Sequence, residues 1–253
     1  TPGTAETNTL TGQINLAAYV PLLPGVNQYV PTTGQSLGTV IAVDGAEDVL
    51  RLGTGSAAIV TGGAGLTKVG AGTLELGGSA GNNYGGGTYV NAGTLRLAKT
   101  GGNAVPGALV VGDNDGDAGA DRVVYAGTST DMIGNGNINI NRTGVLDAAG
   151  VADTVSATLI IVDGAFVTSG SGNFTVNGLT MTGGSVATSG GATFVLNGGM
   201  TYNSGAQAKI SGKLSLNNAD RTFTVNLGPH LYDLWIDADI TGGNTSGRFS
   251  KQG

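Results

Sequence analysis

The sequence contains no cysteine, so neither disulfides nor thiolate metal sites hold it together, and its stability must come from backbone pairing and packing. Charge is scarce too: 17 acidic and 11 basic residues, with no basic cluster, argue against nucleic acid or acidic lipid as a partner. No run of about 18 apolar residues occurs, so nothing is long enough to cross a membrane as a helix. There is no initiator Met and no charged-then-apolar leader ahead of Thr1, as expected of a processed chain or an excised piece.

Glycine is what the chain has in abundance, 48 of 253 residues. Each Gly costs a helix interior about 0.5–1 kcal/mol, and no long Ala/Leu/Glu/Lys-rich window offsets that, which excludes helical bundles and doubly wound α/β folds. Six prolines without a three-residue Gly period exclude collagen, and 40% apolar residues exclude a disordered chain. An all-β protein with many turns remains.

From Leu159 to Leu216 the text is a series of strand-sized runs, among them TLIIVDG, AFVTSG, NFTVNG, LTMTGG and ATFVLNGG, each closed by Gly with a small polar neighbour. Gly164, Gly172, Gly178, Gly184, Gly191, Gly199, Gly205 and Gly212 punctuate it about every seven residues. Sandwiches space their turns about 8–12 residues apart, whereas three strands of this size make a coil of about 20 residues, the unit of a solenoid. Asp163 is the only charged residue between Thr154 and Ala208. Thr, Ser and Asn can therefore stack from coil to coil at about 4.8 Å without like-charge repulsion, although a Thr/Ser-rich sandwich surface would read similarly.

One stretch is more specific. Residues 65–97 read GLTKVGAGTLELGGSAGNNYGGGTYVNAGTLRL. With Leu66, Lys68, Gly70, Gly72, Thr73, Leu74 and Leu76 followed by Tyr84, Gly86, Gly87, Thr88, Val90, Gly93, Leu95 and Leu97, it resembles the autotransporter-associated β-strand repeat. That repeat occurs in passenger regions of large bacterial surface proteins, in the form L-T-K-x-G-x-G-T-L-x-L and then N-x-Y-x-G-G-T-x-V-x-A-G-T-L-x-L. The resemblance implies a right-handed parallel β-helix, exported and displayed outside the cell. The expected architecture is thus an all-β, right-handed parallel β-solenoid over residues 41–253. Residues 1–40, with Pro2, Pro21, Pro24 and Pro31, are expected to form an irregular cap or an extended arm.

Strand alternation points Leu74, Leu76, Leu95 and Leu97 inward and makes Glu75 and Arg96 vertical neighbours on the surface. Gly70, Gly72, Gly86, Gly87 and Gly93 are expected at positive-φ corners. Residues 240–253 echo residues 60–70, with Lys251 and Gly253 in the places of Lys68 and Gly70, as though a coil were cut in its middle.

The sharpest chemical cluster is GDNDGDAGAD at 112–121, carrying Asp113, Asp115, Asp117 and Asp121. Carboxylates at alternate positions of a Gly-rich loop suit calcium, which takes six to eight oxygens, about 2.3–2.6 Å away. An EF-hand counted from Asp113 would require Gly and Glu where Ala118 and Val124 stand, so a solvated acidic loop is the competing reading. Nothing in the sequence requires a cofactor, and calcium is the one ion it invites.

Asp237 and Asp239 in LYDLWIDADI would lie about 6.6 Å apart on one face of a strand, a separation open to acid–base work on a polysaccharide, but only Arg221 and Arg248 stand near as cations. His230 follows Pro229 and reads as a turn residue, and no nucleophile elbow exists to recruit it. Asn135, Asn137, Asn139 and Asn141 alternate with Ile138 and Ile140 and read as an asparagine ladder on the solenoid surface.

Three functions follow as expectations. The first is a non-enzymatic structural subunit of the bacterial exterior, a homo-oligomer stacking through its solenoid ends into a fibre, sheath or matrix. The second is a passenger-type adhesin presenting Thr/Asn-rich faces or the Asp113 loop to glycans, and the third is a polysaccharide-active enzyme. The family normally ends in a membrane β-barrel, which is not seen in this sequence.

Overall fold

The computed structural model describes residues 6–11, 14–16, 38–53, 55, 60–242 and 249–252, with the side chains of 15 and 249–252 outside the description. Every pairing between strands in it is parallel, and the strands climb in about nine turns, a β-solenoid with no helix among the described residues. Three faces repeat in the order first, second, third.

The first face stacks Thr39–Ala42, Leu66–Val69, Thr88–Val90, Leu109–Val111, Ile138–Ile140, the latter parts of Asp153–Ile161 and Asn173–Met181, then Met200–Tyr202, Arg221–Val225 and Phe249–Gln252. The second stacks Thr7–Leu10, Val49–Leu52, Thr73–Gly78, Gly93–Lys99, Asp121–Tyr125, Gly144–Asp147, Ala165–Thr168 and Gly184–Thr188. Ala208–Ser215 and Leu234–Thr241 extend it and then bend into the third. The third face begins with Ile14–Leu16 on Val60–Gly62 and regains regular pairing only where the starts of Asp153–Ile161 and Asn173–Met181 meet Thr193–Leu196. Two strands of the first 40 residues therefore join the stack ahead of residue 41, while residues 17–37 lie outside the described ones.

Alternation builds the core. On the second face Leu50, Leu74, Leu95, Val123, Leu146, Phe166, Val186, Ile210 and Ile236 form one inward column, each opposite its counterpart in the next coil. The Leu, Val and Phe side chains from Leu74 to Val186 are fully buried, and burial of a side chain of this size stabilises by about 1.5–3 kcal/mol. Most outward residues between them are polar or small, with Val124, Val145, Val167 and Trp235 the larger apolar exceptions, so each strand sorts itself by period two.

Glycines at the corners have two duties. Gly70 (φ 79°) and Gly93 (φ 66°) occupy the left-handed region expected of them. Gly72, Gly86 and Gly87 do not have positive φ; a Cβ at Gly72 or Gly86 would instead strike the backbone of the coil below, so close approach between coils selects glycine there. The register also corrects the echo near the C-terminus. Lys251 stands opposite Phe223, in the column that holds Leu66 and not in that of Lys68, and Gly253 lies outside the described residues.

Candidate functional site

Several polar residues of the coil at 66–97 point into the molecule. Lys68 takes an inward place in the column of Ile41 and Val90 and is fully buried. Its ammonium donates to the carbonyls of Val69 (2.8 Å) and Gly70 (2.7 Å) in its own coil and of Ala92 (3.1 Å) in the next. Burial lowers its pKa to about 8, against the opposing pull of the Asp44 and Asp121 carboxylates. Asn82 links three coils, accepting the Val60 N–H (2.9 Å) from one neighbour and donating to the Ala104 carbonyl (2.7 Å) of the other. The Tyr84 hydroxyl meets that of Thr88 at 2.5 Å inside the core, and burial raises the Tyr84 pKa. Glu75 lies opposite Arg96 as alternation required, at 3.5 Å, and also contacts Arg51 of the coil below at 3.2 Å.

A second buried cluster stands one and two coils higher. Asp153 accepts the Tyr125 hydroxyl (2.6 Å) and the Ile133 N–H (3.2 Å) on one oxygen and the Thr154 N–H (2.8 Å) on the other. Burial raises its pKa to about 6 in spite of these donors.

The acidic segment is a lengthened corner between the first and second faces. Its four carboxylates do not converge: among the described residues no group of three acidic, His or Cys side chains could hold a metal ion. Asp117 is exposed, and Asp113 accepts the Asp115 N–H (2.9 Å) in a local turn. Arg142 of the next coil holds the loop, donating to the carbonyls of Asn114 and Gly116 (3.3 Å), while its own N–H meets the Asn114 side chain (3.2 Å). Asp121 differs from the other three. It is the first inward residue of Asp121–Tyr125 and is fully buried.

Asp237 and Asp239 occupy the outer rung Leu234–Thr241, opposite Ser211 and Lys213, and both are exposed. Asp237 pairs with Lys209 at 3.5 Å, and the same ammonium stands 5.1 Å from the Trp235 ring centre. Arg248 lies outside the described residues. His230 sits in a turn whose N–H groups at Gly228 and His230 are both accepted by Asp233. No asparagine ladder forms at 135–141, because Val110 and Ile160 flank Asn139 in the stack. Asn137 and Asn141 bond instead to backbone groups of neighbouring coils, at Thr158 and Gly112. The ladders that exist join Asn197 to Asn217 (2.6 Å) and Asn203 to Asn226 (3.4 Å).

Residues 66–97 match the family described as the passenger-associated-transport-repeat. The match covers this coil, 32 of the 253 residues. No curated protein and no solved structure gives a significant match to the chain. The transport repeat explains its own conserved-looking spelling: Lys68 serves a corner, Asn82 two neighbouring coils, and Tyr84 with Thr88 the interior. The Asn82 bridge and the Tyr125–Asp153 pair escaped the sequence reading. Asn82 stands at the first letter of the N-x-Y signature and was legible in type though not in role. Asp153 follows no pattern, because its donors lie 28 and 20 residues away.

Proposed function

We propose that this chain is a non-enzymatic structural segment of the bacterial cell exterior, a passenger-type β-solenoid that joins end to end with further copies into a fibre or sheath. The observation that carries the reading is the rung Leu234–Thr241. It pairs with Ala208–Ser215 on one edge and with no described strand on the other. Leu234, Ile236 and Ala238 are only partly covered, and Leu227, Leu231, Tyr232, Trp235 and Ile240 are exposed around them. A parallel strand about 4.8 Å away would bury that row and satisfy the open edge. At the other end Thr7–Leu10 pairs with Val49–Leu52 on one edge and with no described strand on the other. A contact between these two unlike ends is heterologous and repeats without closing, which yields filaments.

The transport repeat supports an exterior location, and the absence of cysteine and the low charge accord with it. Sedimentation and negative-stain microscopy at rising concentration test the reading. Filaments are expected from the native chain and lost in Ile236→Lys; dispersed native monomers at high concentration would overturn it.

A glycan-binding adhesin is the second reading. Tyr232 and Trp235, 65% and 50% exposed, flank a shallow hollow with Leu234 and Ile236, and aromatic faces of this kind stack on sugar rings. A glycan array with the native chain and Trp235→Ala tests this reading, since that change should abolish capture on the array, while filament assembly is read separately in Ile236→Lys.

A further inference from the structure

The coil corners on either side of the acidic segment, between the first and second faces, are short. Residues 91–92 suffice between Val90 and Gly93, and 141–143 between Ile140 and Gly144, whereas residues 112–120 fill the same corner between Val111 and Asp121. The extra length is held over a cavity of about 380 Å³ lined by Asn91, Ala92, Asp115 and Asp121, among others.

Asp121 is anomalous within this protein. The other buried polar side chains just described have partners: Lys68 donates to three carbonyls, Asp153 accepts from three donors, and Tyr84 meets Thr88. Both carboxylate oxygens of Asp121 are buried, and no donor reaches either with hydrogen-bond geometry. The Thr143 hydroxyl and the Asp113 amide stand close enough to moderate its charge, but burial and the Asp113 and Asp115 carboxylates push the other way, so its pKa is raised. A buried carboxylate served no better than this is costly, and a bound cation lowers that cost. Lys68 lies within electrostatic reach of Asp121 and Arg142 holds the loop, but the hydrogen bonds of both go to backbone carbonyls. Lys68 serves the carbonyls of 69, 70 and 92, and Arg142 serves those of 114 and 116.

We propose that this corner is a calcium site in which Asp121, from inside the solenoid wall, and Asp115, from the loop above, supply the two carboxylates. The donor set is all oxygen, and the cavity is open enough for water to complete the shell. That suits calcium, which accepts carboxylate, carbonyl and water oxygens in irregular number, over magnesium, which demands a tight octahedron. Two carboxylates place the affinity in the weak range of extracellular modules, Kd about 10⁻⁴–10⁻³ M. Asp117 is outside the site, and Asp113 acts through the turn that presents Asp115.

Calorimetric titration of the whole chain with CaCl2, paired with thermal unfolding in calcium and in NaCl of equal ionic strength, tests this. The native chain should bind with that affinity and melt at higher temperature in calcium alone. Asp115→Asn, at an exposed position that leaves the fold intact, should weaken binding at least about tenfold, by analogy with the loss of one charged ligand. Asp117→Asn should leave binding unchanged. Asp121→Asn should abolish it, and if that variant does not fold, the contrast between Asp115→Asn and Asp117→Asn decides. Absence of binding up to about 10 mM calcium, beyond the weakest affinities of such sites, would overturn the proposal. Equal losses at Asp115 and Asp117 would overturn it as well, since they would mean a diffuse ion atmosphere around an acidic loop.

Discussion

The transport-repeat coil and the coils from Asp153 to Ser215 share one backbone and reach it with different interiors. The repeat keeps Lys68, Asn82 and Thr88 buried among its leucines, and Lys99 just beyond it is buried too. The later coils bury Phe166, Phe174 and Phe194, with ring centres 4.6 Å apart for the first pair and 5.4 Å for Phe166 and Phe194. The difference follows the third face. Between Gly62 and Asp153 that face has only scattered backbone bonds and the lone bridge Val105–Ile133, and here the Asn82 and Asp153 side chains take over hydrogen bonds that a strand would make. Above Asp153 the third-face strands pair again, Asp153–Val155 with Phe174–Val176 and Asn173–Val176 with Thr193–Leu196, and the interior there is largely apolar. Asn82 and Asp153 therefore mark where the third-face ladder is interrupted.

The largest effect should come from opening a cavity in the apolar region. Phe174→Ala should cost about 3–5 kcal/mol in chemical denaturation, because Phe166 and Phe194 cannot both collapse into the space. In the repeat, Asn82→Leu keeps the volume but orphans the Val60 N–H and the Ala104 carbonyl, and should cost about 2–3 kcal/mol. A neutral result would mean that these buried groups find other partners, and the contrast between the two interiors would fail.

The two interiors should also differ in their response to pH. The Asp153 carboxyl, raised by burial to about 6, contributes stability that is complete below about 3.8 and lost as pH rises through about 6. Lys68 and Lys99, lowered by burial to about 8, contribute stability that is complete above 10.5 and lost as pH falls through about 8. Denaturation midpoints compared between the native chain and Asp153→Asn from pH 4 to 10 should show this acid-side loss in the native chain and its absence in the variant, while the alkaline gain persists in both. The smallest effect belongs to the surface. Glu75→Gln, which breaks contacts to Arg51 and Arg96, should cost under about 1 kcal/mol and vanish in high salt.

Much of the fold was legible because the periods are short. Leu74 and Leu95 were read as stacked neighbours from their spacing alone, and the structure pairs them. The acidic corner was legible in composition only. Asp113, Asp115, Asp117 and Asp121 look alike in sequence, yet the strand that starts at Asp121 turns that one side chain into the wall and leaves Asp117 in solvent. The Asn135–Asn141 row misled for the opposite reason. Alternation assigns a face within one strand, but whether asparagines stack depends on what the adjacent coils place opposite, here Val110 and Ile160.

By itself the sequence determined a helix-free, glycine-cornered solenoid with leucine columns, since strand alternation and turn chemistry act over two to seven residues and need no distant partner. Only the tertiary structure decided which polar residues are internal. Lys68, Asn82, Asp121 and Asp153 owe their burial to groups one or more coils away, and an interaction across about 20 residues of chain leaves no local mark to read.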